Sequence, residues 1–269
     1  MEYETFLLVM KIYFSVCVFI VGICIGSFLN VLIYRIPLGM DFKKGSSICT
    51  TCKHPLKWYD LFPLFSWIFL GGKCRYCKAK ISPIYPIVES ITGILFVMSF
   101  VFGCGCDFKL RLLGYFMICS ALVVVFCIDW KHMFIPDSMW ITILLGGIVI
   151  YIDSIIENGF DKNELIGRIV GFFLVSGLFL LVSYIKPDSM GGGDIKLMAA
   201  AGFALGWKNV LLALLVSGFT GTLYLIFSNT LKKENMKKEV PFGPHLAIGI
   251  FVALMFGNQM INWYTGLWN

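Results

Sequence analysis

The residues best placed to do chemistry in this chain are two aspartates. Asp194 stands in the run Met190-Gly191-Gly192-Gly193-Asp194-Ile195-Lys196, between two strongly apolar segments. Ionised groups in such surroundings are costly and are usually functional. The three glycines let the backbone come close to a ligand or to another chain. Asp129 closes a second apolar run, Ser120 to Ile128. It ends a helix, where the macrodipole disfavours an anion and lysine would serve structure better. Asp194 precedes a helix, so N-capping is its ordinary alternative role. Asp137, after Ile135-Pro136, is explained by capping alone. Two carboxylates that share a site cannot both ionise easily, so one keeps a proton. One then acts as base on water and the other as acid on a carbonyl, which is acid–base hydrolysis of a peptide. The two helix ends put the proton on Asp129 and the charge on Asp194.

Four cysteines form the second constellation. Cys49-Thr50-Thr51-Cys52 and Cys74-Arg75-Tyr76-Cys77 are two CxxC knuckles with 21 residues between them. Each knuckle supplies two thiolates from one tight turn, and tetrahedral zinc takes four. A redox or disulfide pair is the alternative, disfavoured in a reducing compartment. Four protein ligands leave no open position for water, so the metal would be structural. Cys17, Cys24, Cys119 and Cys127 fall in apolar spans and read as buried apolar residues.

The elements that must hold these residues are membrane helices. The chain has 269 residues, 58% hydrophobic and only 14% charged. A soluble domain is about 45–50% apolar and about 25% charged. A helix crossing a bilayer needs about 20 apolar residues. The expected spans are 12–33, 83–102, 110–128, 138–152, 165–185, 195–206, 209–228 and 243–262. The fourth is short, and the sixth is very short for a full crossing. The first lacks the basic start and cleavage site of a signal peptide and reads as a retained helix. With eight crossings, both basic loops, 34–82 and Asn229 to Val240, lie on the cytoplasmic side. Asp129 and Asp194 then share that side. The acidic stretch Asp153, Glu157, Asp161, Glu164 and both termini lie outside. The net charge of +6 follows the positive-inside rule, and no nucleic-acid partner is expected. The resulting organisation is all-α: a first helix (1–33), a cytoplasmic zinc-ribbon-like loop (34–82) and a seven-helix membrane part (83–269) carrying the aspartates.

The chain resembles the prepilin leader peptidases, membrane aspartic proteases of type IV pilus, type II secretion and competence systems. The resemblance runs from Gly26-Ser27-Phe28-Leu29-Asn30 to Pro37, through both knuckles and Lys73 to Glu89. It continues through Asp129 to Asp137 and Gly191 to Leu197, and ends at Pro241-Phe242-Gly243-Pro244. It implies that Asp129 and Asp194 are the catalytic pair. It also implies cleavage of a short basic leader after glycine, at the cytoplasmic face of the inner membrane, on prepilin or pseudopilin substrates lying in lipid. Many members then methylate the new N-terminus with S-adenosylmethionine, and Glu89 and Gly93 fall in a stretch associated with that step. The chain departs from the family at Asp60-Leu61-Phe62-Pro63, at the first knuckle, which lacks a frequent proline, and at His245, where an aromatic is usual. The acidic residues Asp41, Asp60, Glu89 and Asp137 are available by charge to receive a basic leader. Two other classes compete. A proton-coupled transporter would use the aspartates as relays and give the cysteine loop no purpose. A non-catalytic zinc-ribbon scaffold would leave Asp129 unexplained.

Overall fold

The computed structural model describes residues 2–41, 47–49, 51–187, 190–231 and 241–267. Lys43, Lys44 and Thr50, and the basic loop with Lys232, Lys233, Lys237 and Lys238, lie outside the described residues. The described chain is helical: α1 (Glu2–Arg35), a short α2 (Phe65–Phe69), α3 (Ile84–Met98), α4 (Leu110–His132), α5 (Asp137–Asn158), α6 (Lys162–Ile185), α7 (Gly192–Leu205), α8 (Trp207–Leu231) and α9 (Gly243–Gly266). Seven of these segments are long and apolar enough to cross a membrane. The eighth expected span, α7, has 14 residues. At 1.5 Å per residue it is about 21 Å long, short of a hydrocarbon core of about 30 Å.

Two compact units divide the chain. The first holds α1, the cysteine loop and α3. Gly22 and Gly26 of α1 form a GxxxG pair. A Cβ on Gly22 would lie 2.6 Å from Gly93 Cα, and one on Gly26 would lie 2.7 Å from Glu89 Cα. The backbones of α1 and α3 therefore touch, the packing small residues allow in lipid. Asn30, nearly buried, donates its side-chain amide to the Tyr85 carbonyl at 3.1 Å.

The second unit packs α4 to α9. Gly114 of α4 lies against Gly146 of α5, where either Cβ would meet the other's carbonyl oxygen. Gly171 of α6 and Gly202 of α7 pack backbone to backbone, and Gly147 of α5 abuts Ala204 of α7. Gly249 and Gly257 of α9 seat Ser217 and Asn209 of α8, and Asn209 donates to Asn258 at 3.0 Å.

The short α7 can end inside this bundle because its last carbonyls are satisfied there. The buried Arg168 of α6 donates from Nη1 to the Phe203 and Ala204 carbonyls at 3.2 and 3.0 Å. Glu164 neutralises it at 2.8 Å. Gly206, at φ +78, then reverses the chain into α8. Unpaired carbonyls at a helix end in an apolar surround would each cost several kcal/mol. Arg168→Ala is therefore expected to destabilise the protein by about 2–4 kcal/mol, because it leaves the Phe203 and Ala204 carbonyls without their donor. A lowered thermal midpoint of the detergent-solubilised protein is the measurement, and an unchanged midpoint contradicts this account of α7.

The fourth span is longer than its apolar run. The structure continues α5 to Asn158, through Asp153 and Glu157. Arg111 pairs with Asp153 and with Glu157, and Lys109 pairs with Glu157 at 2.8 Å. These partners, some 40 residues away on α4 and just before it, let helix persist where the sequence turns acidic.

Candidate active site and metal centre

Asp129 lies one turn from the end of α4, whose last backbone bond runs from Met133 N–H to the Asp129 carbonyl. The residue is 6% exposed. One carboxylate oxygen, Oδ2, accepts the Gly243 amide at 2.9 Å. Gly243 is the first residue of α9, so that amide is one of the donors a helix start leaves unpaired. The positive end of α9 thus meets the carboxylate that the end of α4 disfavours. No role for Gly243 was expected from the sequence. Its signal was the motif Pro241-Phe242-Gly243-Pro244, a proline placed where a helix begins.

Asp194 occupies the first turn of α7 and is half-buried. The cap residue is Gly191, not Asp194. The Asp194 carboxylate accepts the Gly191 amide, and the Asp129 charge acts on it directly. The structure therefore brings the two aspartates within electrostatic reach from helices 65 positions apart in sequence. The helix ends do not by themselves place the proton on Asp129, because each carboxylate accepts one backbone amide. Gly193 packs its Cα against Ile135, where a Cβ would come within 2.8 Å. That contact holds the start of α7 against the segment that follows α4.

Asp137 does not join the pair. It is the first residue of α5, behind Pro136 as cap. Its carboxylate accepts Trp140 Nε1 at 2.9 Å and Lys196 Nζ at 2.7 Å. Lys196, two residues after Asp194, is thereby tied to the start of α5. Other acids proposed for a basic leader also have partners within the chain. Asp60 is held by Arg75, Tyr76 and the Lys57 amide. Glu89 accepts the Leu64 amide at 2.8 Å.

Gly243 gives the site a tight tolerance. A Cβ there would sit 2.6 Å from Asp129 Oδ2 and 2.9 Å from its Cγ. Gly243→Ala must push the carboxylate aside. A displacement near 1 Å costs about 10²-fold in a positioned reaction, and turnover of a cleavable substrate by this variant measures it.

The cysteines of the other unit converge. The four Sγ atoms of Cys49, Cys52, Cys74 and Cys77 lie within 4.8 Å of one another, and Cys49 and Cys77 are 3.8 Å apart. Tetrahedral zinc with bonds of about 2.3 Å separates its sulfurs by about 3.8 Å. The two knuckles repeat one geometry. Lys53 N–H donates to the Cys49 carbonyl and Lys78 N–H to the Cys74 carbonyl, at 2.8 and 3.0 Å. Both lysines take left-handed backbone, at φ 57 and 60. Bridges Ile48–Pro55 and Lys73–Lys80 close the two turns. The Cys52 amide, hydrogen-bonded to Cys49, brings that thiol down to about 6 despite burial. At Cys77 the Ala79 amide favours the anion, but burial and the three neighbouring sulfurs push it up to about 11. Four sulfurs converging in this way fit a thiolate-binding dication.

Glu89 and Gly93, which the family resemblance linked to methylation, both face the α1–α3 contact. Gly93 has no room for a Cβ, which would lie 2.6 Å from Phe19 Cε2. Glu89 is nearly buried and its carboxylate also bonds Ser27.

The fold and site define a class: a polytopic α-helical membrane protein with an aspartate pair, one buried and one half-buried, and a cluster of four cysteines spaced to fit a metal ion. The chain belongs to the type IV leader peptidase family. The model of that family matches residues 116–226, which contain both aspartates, and the model of the bacterial peptidase A24 N-terminal domain matches residues 20–102, which contain the four cysteines. The protein is 32% identical over 283 residues to a protein of Aeromonas salmonicida named prepilin leader peptidase/N-methyltransferase, covering 94% of each chain. Proteins of the same name from Stutzerimonas stutzeri and Pseudomonas aeruginosa are 30% identical over 272 residues (92% of each chain) and 29% identical over 276 residues (93% of each chain). No solved structure matches the chain at a significant level. Seven apolar helices in a member of this family make it a multi-pass inner-membrane protein.

Proposed function

We propose that this protein is a prepilin leader peptidase and N-methyltransferase, with Asp129 and Asp194 as its catalytic pair. The observation that carries the reading is the pairing itself: two carboxylates within electrostatic reach in a bundle that matches the leader peptidase family. One carboxylate takes a proton from water, which attacks the carbonyl of the leader's final glycine. The protonated partner donates a hydrogen bond to the carbonyl oxygen and later a proton to the leaving amine. The pair titrates as a unit. In our reading the basic loop 34–82 and the aspartates face the cytoplasm. The substrate is a prepilin or pseudopilin whose helix lies in the bilayer.

The zinc reading rests on the sulfur spacing. Bound there, the ion would tie the two knuckles into one rigid loop and take no part in hydrolysis. The methyl donor would be S-adenosylmethionine, which supplies an electrophilic methyl group. Glu89 and Gly93 do not fit direct contact with it, since one is committed to Leu64 and Ser27 and the other has no free space. In this reading Glu89 fixes the loop against α3 through Leu64, and Gly93 seats α3 against α1.

Purified protein mixed with a prepilin-like peptide tests the proposal. Cleavage after glycine supports it. Proton flux without cleavage supports a transporter, and neither activity leaves a scaffold.

A further inference from the structure

The cysteine loop leaves a cluster of large apolar side chains uncovered. Trp58 is 79% exposed, Phe69 83% and Ile68 63%. Phe62 and Phe65 lie beside them, with ring centroids 5.8 Å apart, and Phe65 stacks on Phe69. A loop in water does not leave such a patch open without a partner. The patch also encloses a shallow cavity of about 320 Å³ among Trp58, Tyr59, Phe62, Phe65, Phe69 and Arg75.

The position of this segment decides what covers it. Leu64, at φ +61, turns the chain into α2. Its amide is held by the Glu89 carboxylate at 2.8 Å. Glu89 lies five residues beyond Ile84, where α3 begins as an apolar span. Five residues of helix are about 7.5 Å, so α2 starts within the first two turns of a membrane helix. Interfacial helices sit about 5–10 Å into the headgroup boundary. Tryptophan and other aromatics concentrate at that level. The charges fit as well. Lys57, Lys73 and Arg75 are exposed around the patch. Arg75 uses Nε for Asp60, and its other guanidinium nitrogens suit phosphate.

We propose that Trp58–Phe69 is a membrane-docking element that lies in the bilayer interface, with phospholipid against its aromatic face and in the cavity beside Arg75. The loop is then held down at three places, by α1, by α3 and by this segment. The metal knuckles are kept at the membrane surface, where a membrane-bound substrate must arrive.

The test uses the full chain in nanodiscs of phosphatidylethanolamine and phosphatidylglycerol. Trp58→benzoylphenylalanine and Phe69→benzoylphenylalanine replace aromatic by aromatic and preserve the fold. After irradiation, mass spectrometry is expected to find phospholipid adducts at both positions, several-fold above the background from Lys78→benzoylphenylalanine. Adducts at the Lys78 level overturn the proposal. So do adducts exclusively to S-adenosylmethionine or to a prepilin peptide added before irradiation, because the patch would then be a site for those ligands.

Discussion

Asp129→Asn and Asp194→Asn are each expected to abolish cleavage of a prepilin-like peptide while the protein still inserts and folds. An asparagine can neither take a proton from water nor give one to the leaving amine. General acid–base groups are worth about 10²–10⁴-fold, and in a pair that shares one proton the loss of either partner removes both roles. The carboxamide is nearly the size of the carboxylate, so packing at this buried position is kept. The Gly243 amide can still donate to the asparagine oxygen, which preserves the local backbone. Asp137→Asn is the internal comparison. Its contacts are to Lys196 and Trp140 at an exposed helix start, and asparagine retains the tryptophan bond. That variant is expected to cleave nearly as well as the parent. Measured turnover in the Asp194 variant above about one hundredth of the parent rate would refute the pair. A loss at Asp137 as deep as at Asp129 would move the chemistry to the start of α5.

Cys49→Ser and Cys77→Ser are expected to bring bound zinc from one ion per chain to about a tenth of that or less. Serine oxygen is a poor ligand for a thiolate site, and zinc affinity and the folding of such a knuckle are one equilibrium. Each knuckle is closed by only a few backbone bonds and one bridge, so loss of the metal is expected to loosen the two turns. Zinc analysis of protein purified under reducing conditions measures the effect, and protease susceptibility of the loop reports the loosening. Leader cleavage should survive, since the aspartates belong to another compact unit. A metal-free parent protein, with the loop nonetheless ordered, would refute the ribbon. So would full metal retention in both serine variants.

Much of the fold follows from local rules. Apolar runs of about 20 residues separated by charge have one stable form in lipid, because a backbone without water must bond to itself. Seven long helices therefore appear where the hydropathy puts them. The cysteine knuckles are also local, since four residues of CxxC make one turn. Where polarity and helix part company, the sequence misleads. The acidic end of α5 reads as loop, yet Arg111 and Lys109 hold it in helix from across the bundle. The sixth span looks too short to cross. It ends early because Arg168, 35 residues before Phe203, takes up its last carbonyls.

The candidate site divides in the same way. The sequence alone determined that two carboxylates stand at the ends of apolar helices, where burial is expensive and chemistry the best reason for it. It also determined four thiols in two turns. Only the tertiary structure decided how Asp129 is tolerated, through an amide of α9 that comes 114 residues later. Only it showed that Asp137 and Lys196 are engaged with each other. These are pairings between helix ends, and such pairings depend on how whole helices pack. Close packing here follows glycines facing glycines, a property of two surfaces that no single stretch of sequence contains.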